Sequence, residues 1–265
     1  MIEKYYILIA EGITDCSLLE AILEKYLQYK SYENVKELPL LFQEMIGRYP
    51  AATGELRRQD SPVFYHKDKI AIAVKQAGGC TKLATQASSL VEIVDQLDSY
   101  DTFGGFLLFC DTDTENIETI QKRVTEAFRQ EGFEYADSVL SVYGREVSCK
   151  LHLFPTEGCG AIEKLLLECA SITYGDLTED ALNYKNCILD DKYGELRNEC
   201  WAKDSNVQEF YADKVQFGAI STVLKPDKPV RFSIKDKIIR TKYKNLYMKI
   251  PEFQVLYTFL EGNLK

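Results

Sequence analysis

Histidine is almost missing from this chain: His66 and His152 are the only two in 265 residues. Chemistry that needs a histidine base, or several imidazoles around one metal, is therefore poorly supplied. No run of about 18 apolar residues occurs, so no membrane span is expected. The N-terminal MIEKYYILIAEG lacks the long apolar core and small-residue cleavage site of a signal peptide, and a cytoplasmic location is expected. The eight cysteines contain no C-x-x-C pair, and reduced, mostly buried thiols are the expectation. A zinc site built from Cys159, Cys169, Cys187 and Cys200 stays open, on irregular spacing. No G-x-x-x-x-G-K-[ST] loop is present, so any ATPase partner has to be a separate chain. Positive charge is in deficit, with 32 Lys and Arg against 41 Asp and Glu, a net −9. That excludes a uniformly basic surface. It leaves room for nucleic acid, because a local basic groove or bound cations can offset acids.

What is present reads as a globular α/β protein, 46% hydrophobic and 28% charged. YYILIA, residues 5–10, is an unbroken apolar run and predicts a buried strand. A helix is expected next, from Leu18, Leu19, Ile22, Leu23, Tyr26 and Leu27 at helical spacing. Thr14 is a plausible N-cap, with Asp15 or Ser17 as alternatives. Residues 31–68 read as an insertion, part helical, with a mobile loop over about 47–62. It carries a basic cluster of Arg48, Arg57, Arg58, His66 and Lys67. KIAIAV predicts a second strand, Gly78-Gly79 a turn, and residues 80–98 a helix. GGFLLFC is the third strand, and residues 116–131 a helix with Ile117, Ile120, Val124 and Phe128 on one face. Residues 138–155 predict one or two more strands, and 160–171 a helix. This alternation implies a largely parallel sheet with helices on both faces. The expected domains are an α/β core over 1–171 and an α-rich extension over 172–265 packed on it. The extension reads as acidic loops over 176–191, one helix containing Trp201 and Phe210, a lysine-rich segment, and a last helix over 251–262.

The third strand ends in acids. FLLFCDTDTEN delivers Asp111 and Asp113 straight from an apolar run, and the first strand delivers Glu11. In a parallel sheet, sites lie at the carboxyl ends of the strands. If the two strands are neighbours, three carboxylates converge, and clustered carboxylates need a cation between them. All-oxygen ligation suits Mg²⁺ or Mn²⁺.

The pattern of strand, Glu11-Gly12, then a strand ending in Asp111-x-Asp113, resembles the TOPRIM domain of topoisomerases, bacterial primases and OLD-type nucleases. Closest in pattern are the small stand-alone TOPRIM-like proteins related to OLD nucleases. E-G-x-x-D is matched by Glu11, Gly12 and Asp15. A strand followed by Gly-Gly is matched by AIAVKQAGG, and a proline followed by an acidic helix start by FPTEGCGAIEKLLLE with Glu163. The resemblance covers roughly residues 4–170. There is one departure: relatives tend to carry an acid directly after the proline, whereas Pro155 is followed by Thr156 and then Glu157. The resemblance implies a Rossmann-like core and a metal-dependent nuclease acting on DNA or RNA, in the setting of bacterial defence. Glu11 would be a metal ligand or general acid/base, and Asp111 and Asp113 would hold Mg²⁺. Asp15 and Glu163 are further candidate ligands. Lys75, Lys235 or Lys237 would contact phosphate. With two ions about 4 Å apart, hydrolysis needs no histidine.

Competing readings exist for the same residues. Asp111 and Asp113 can form a turn that caps the helix after residue 115. Asp15 and Glu163 can be first-turn acids favoured by the helix dipole. The lysines of 231–244 can be a solvated face. Cys110 reads as packing, and His152, alternating with Leu151 and Leu153, as the exposed side of a strand. D-T-D-T also resembles the first motif of haloacid-dehalogenase-type phosphatases. There Asp111 would be the nucleophile, Asp190-Asp191 metal-binding acids and Lys164 a positive charge. A non-catalytic TOPRIM-like regulatory subunit of a defence system is the third reading.

Overall fold

The first apolar run becomes β1 (Lys4–Ala10), whose last four residues, Ile7 to Ala10, have no exposed surface. A strand covered on both faces needs an apolar residue at every position, which is why this run does not alternate. The computed structural model describes residues 2–47, 61–201 and 205–265. After β1 come α1 (Ile13–Lys25), β2 (Lys30–Ser31), α2 (Leu40–Glu44), β3 (Val63–Lys67), β4 (Ile70–Gln76) and α3 (Leu83–Gln96). Then follow β5 (Phe103–Asp111), α4 (Ile117–Gln130), β6 (Glu134–Ala136), β7 (Val139–Val142) and β8 (Arg145–Phe154). The expected mobile loop over 47–62, with Arg48, Arg57 and Arg58, falls mainly on residues 48–60, outside the described residues.

The architecture is α/β, a mixed eight-stranded sheet in the order β2-β3-β4-β1-β5-β8-β7-β6, flanked by helices. β1 pairs in parallel with β4 on one side and β5 on the other. The expectation of a largely parallel sheet holds for β4, β1 and β5 and fails towards both edges. β2, β3 and β4 pair antiparallel, as do β6, β7 and β8. The cause is connection length. Asp137-Ser138 joins β6 to β7 and Tyr143-Gly144 joins β7 to β8, and all four residues have positive φ. Two-residue turns with that backbone make hairpins; a parallel crossover needs a dozen residues or more.

By contact, the chain groups into two compact units. One comprises Met1–Cys110, Glu118–His152 and Phe259–Lys265; the other comprises Asp111–Ile117 and Leu153–Thr258. Within the first, β5 carries a bulge: Tyr5 pairs with Phe103 and Tyr6 with Gly105, so Gly104 is passed over. Gly105 adopts φ +124°, and a Cβ there would lie 2.3 Å from the Ser148 carbonyl oxygen of β8. His152 corrects the sequence reading. It is buried, its ring 4.9 Å from that of Phe259 and 5.8 Å from that of Phe109. Alternation along β8 misleads because a helix end, Phe259, covers that side.

The second unit holds the helices α5 (Ile162–Thr173), α6 (Gly175–Leu189), α7 (Gly194–Cys200), α8 (Ser205–Leu224), α9 (Val230–Ser233) and α10 (Lys244–Tyr247). It also holds most of α11 (Pro251–Asn263). The stretch expected as acidic loops is therefore α6. Its polarity is that of a helix with little buried surface, packed on α8. A 2.7 Å ion pair between Lys185 and Asp213 joins the two helices. Trp201 and Phe210, expected in one helix, belong to separate ones: Trp201 closes α7 and Phe210 lies within α8. No helix among the described residues is long and apolar enough to cross a membrane.

Two outcomes follow from this packing. Gly105→Ala has to displace β8 or strain the bulge, and should cost about 2–3 kcal/mol in denaturant unfolding. Gly262→Ala in α11, where nothing crowds a Cβ, should be neutral or stabilising. Burial pushes the His152 imidazole down from 6.5 to about 4. The unfolded chain then binds a proton that the folded chain refuses, so stability is intact above pH 6.5 and falls as the pH drops towards 4. His152→Phe should flatten that decline when unfolding is compared at pH 7 and about 5.

Candidate functional site

Glu11 directly follows β1, and three backbone hydrogen bonds fix this residue. Its N–H donates to the Phe109 carbonyl of β5 at 3.0 Å, while its own carbonyl accepts from Gly78 N at 3.0 Å and Gly79 N at 3.1 Å. Both glycines have positive φ, +81° and +127°, which lets consecutive amides turn back onto one oxygen. This is the structural role of the Gly-Gly pair. The turn leads directly into a 3-10 turn, Cys80–Lys82, and α3.

The Glu11 side chain meets sulfur. Cys110 Sγ donates to Glu11 Oε2 at 3.2 Å. The Cys110 thiol also hydrogen-bonds Cys80, and that contact, burial and the Glu11 charge together push it far above its usual range. Cys110 is thus buried packing, as expected, and also a partner of Glu11, which sequence reading missed. Among the described residues, Glu11, Cys80 and Cys110 form the one group of three His, Cys, Asp or Glu side chains with ligand atoms within 4.8 Å of one another. Cys169 is buried alone while Cys159, Cys187 and Cys200 are exposed, and no such group contains these four.

The N-cap of α1 is Gly12 rather than Thr14, Asp15 or Ser17; Asp15 reaches back and accepts from Gly12 N–H through Oδ2 at 3.0 Å. Asp15 is buried and so serves as a helix-start acid. Lys75, half-buried on β4, stands in register with Ile9.

In the second unit, Asp111-Thr112-Asp113 is stitched to the loop before α5. Thr112 N–H donates to the Phe154 carbonyl and Asp113 N–H to the Gly160 carbonyl, both at 2.7 Å. Gly160 N–H donates to Thr112 Oγ1 at 3.0 Å. Asp113 adopts φ +51°, a turn conformation that aspartate tolerates. Asp111 Oδ1 accepts from Ile162 N–H at 3.0 Å and so caps α5. Glu163, one residue on, is buried, and among the described residues its Oε2 has no hydrogen-bond partner. Burial raises its pKa, the charges of Asp113 and Asp213 add to this, and Lys214 opposes it. Lys235 and Lys237 lie half-buried in a π-helical turn, Ile234–Ile238. A cavity of about 320 Å³ beside α5 is lined by Pro155, Glu157, Lys164, Glu168 and Glu252, among others.

The acids divide by chemistry. Asp111, Asp113 and Glu163 are oxygen donors, and a buried carboxylate oxygen without a partner fits a hard cation such as Mg²⁺. Glu11 stands between two thiols, a set that suits a softer ion. Asp190-Asp191, the acid pair of the phosphatase reading, follows helix α6, and Asp190 accepts from Lys192 N in a 3-10 turn. Lys164 donates to the Cys159 carbonyl at 2.9 Å.

Fold and site together define an α/β protein with acids at the carboxyl ends of its central parallel strands. No protein-family model and no curated protein sequence matches the chain. Among solved structures, a hypothetical protein from Pyrococcus horikoshii OT3 is similar, at 15% identity and a TM-score of 0.47, over 97% of this chain and 94% of that one.

The capping bond is testable by itself. Asp111→Ala should destabilise the protein by about 1 kcal/mol, and Asp111→Asn, which keeps an acceptor oxygen, should restore most of it in urea unfolding.

Proposed function

We propose that this protein is a Mg²⁺- or Mn²⁺-dependent phosphoryl-transfer enzyme, a nuclease acting on DNA or RNA, built on a TOPRIM-like core. One observation carries the reading. β1 and β5 are parallel neighbours with Ala10 level with Phe109; β1 is followed by Glu11, and β5 ends at Asp111. Ligands of α/β sheets bind at the carboxyl ends of such strands. Asp111 and Asp113, with Glu163, would hold the ion, and their carboxylates would have to draw together from the separations seen here to do so; Glu11 is the acid/base that the family resemblance suggests. When bound, a divalent ion neutralises phosphate charge and lowers the pKa of water. The chain's own part is positioning. The capping bond from Ile162 N–H holds one Asp111 oxygen, the backbone bonds of Thr112 and Asp113 set the loop, and the Gly78-Gly79 turn holds Glu11. Burial of Glu163 keeps water from one carboxylate oxygen. Lys75, Lys235 and Lys237 would meet backbone phosphates. A separate ATPase chain is the partner that the family resemblance suggests, in a defence setting.

The test is cleavage of plasmid DNA and of single-stranded RNA with Mg²⁺ or Mn²⁺ against chelator. Glu11→Gln and Asp111→Asn, chosen because they preserve shape and the α5 cap, should each lower the metal-stimulated rate by about 100-fold or more. Parent-like cleavage by both variants, or none by the parent on either polymer, removes the nuclease assignment.

A further inference from the structure

We propose that Glu11, Cys80 and Cys110 form a site for a thiophilic divalent cation, Zn²⁺ in the first instance. Two sulfurs and one carboxylate oxygen lie within 4.8 Å of one another. Tetrahedral Zn²⁺ with bonds of about 2.3 Å to sulfur and about 2.1 Å to oxygen needs its ligand atoms about 3.6–3.8 Å apart. The group therefore needs movements of no more than about 1 Å to close on an ion. Cys110 Sγ and Glu11 Oε2, at 3.2 Å, are closer than that and would separate slightly on binding.

The backbone holds this geometry in place. Glu11 N–H is bonded to Phe109, the residue before Cys110, and the Glu11 carbonyl to Gly79, the residue before Cys80. Each cysteine is thus one residue from a hydrogen bond to Glu11 itself, and a site on such anchors is pre-organised. Three protein ligands leave a fourth position, and the half-exposed Glu11 and Cys80 leave it open to water or a ligand atom. On binding, the two thiols release their protons to solvent. Occupation commits the Glu11 carboxylate to the soft ion and withdraws it from any oxygen-preferring one. The site stands independently of the nuclease reading, because its readout is spectroscopic.

Titration of the reduced full-length protein with Co²⁺ tests it. The expected result is a thiolate-to-cobalt charge-transfer band with tetrahedral visible bands, saturating at one ion per chain and displaced by Zn²⁺. Cys80→Ala should abolish the thiolate band or weaken binding at least about 10-fold, and Glu11→Gln should weaken it by a similar factor. Cys80 sits in a half-exposed turn, so its variant remains informative where the buried Cys110→Ser fails to fold. Replacing the exposed Cys159, Cys187 and Cys200 together should leave the spectrum unchanged. Absence of any thiolate band, an unchanged band with parent-like affinity in Cys80→Ala, or its loss in the triple variant overturns the proposal.

Discussion

The backbone of Glu11 is the joint on which the described site geometry depends. Its N–H is held by β5 and its carbonyl by the two amides of the Gly78-Gly79 turn. A single residue therefore ties β1 to its neighbours on both sides, since β4 leads into that turn. The carboxylate meets the sulfurs of Cys80 and Cys110. Backbone hydrogen bonds at a sheet edge are rigid mounts because each has two strands behind it, whereas a loop offers only its own chain.

The acids of the second unit follow a different logic. Asp111 gives one oxygen to the first turn of α5, where the helix's unsatisfied N–H groups and dipole favour negative charge. That bond orients the carboxyl but does not consume it, because a carboxylate has about four acceptor positions. Glu163 is the costly member. Desolvation disfavours its charged form, and neighbouring aspartates disfavour it further. Carboxyls perturbed in this way concentrate at functional sites, which supports the proposed hard-cation role of Glu163.

How much of this was legible depended on the signal each feature leaves. β1, β4 and β5 stood out because strands buried on both faces have no polar residue to interrupt them. α4 stood out because Ile120, Val124 and Phe128 recur on one face, and these are its buried residues. α6 did not, because a helix that buries only Ala181 fully has almost no apolar stripe to read. The hairpins of β6, β7 and β8 were written in Asp137-Ser138 and Tyr143-Gly144, but neither is one of the strong hairpin dipeptides. His152 was misjudged because a strand's alternation says which residues share a face, not which face another element covers.

By itself, the sequence determined the buried central strands, the glycine turn after β4 and the acids that end β1 and β5, since these follow from local hydrophobic pattern and backbone freedom. Only the tertiary structure decided that β1 lies between β4 and β5, that Asp111 caps a helix starting 51 residues later, and that Glu11 meets a thiol 99 residues away. The physical reason is that strand order and register are set by hydrogen bonds between distant segments. Such contacts, whether between backbone groups or between side chains, join positions far apart in the chain, and so leave no local periodicity in either partner.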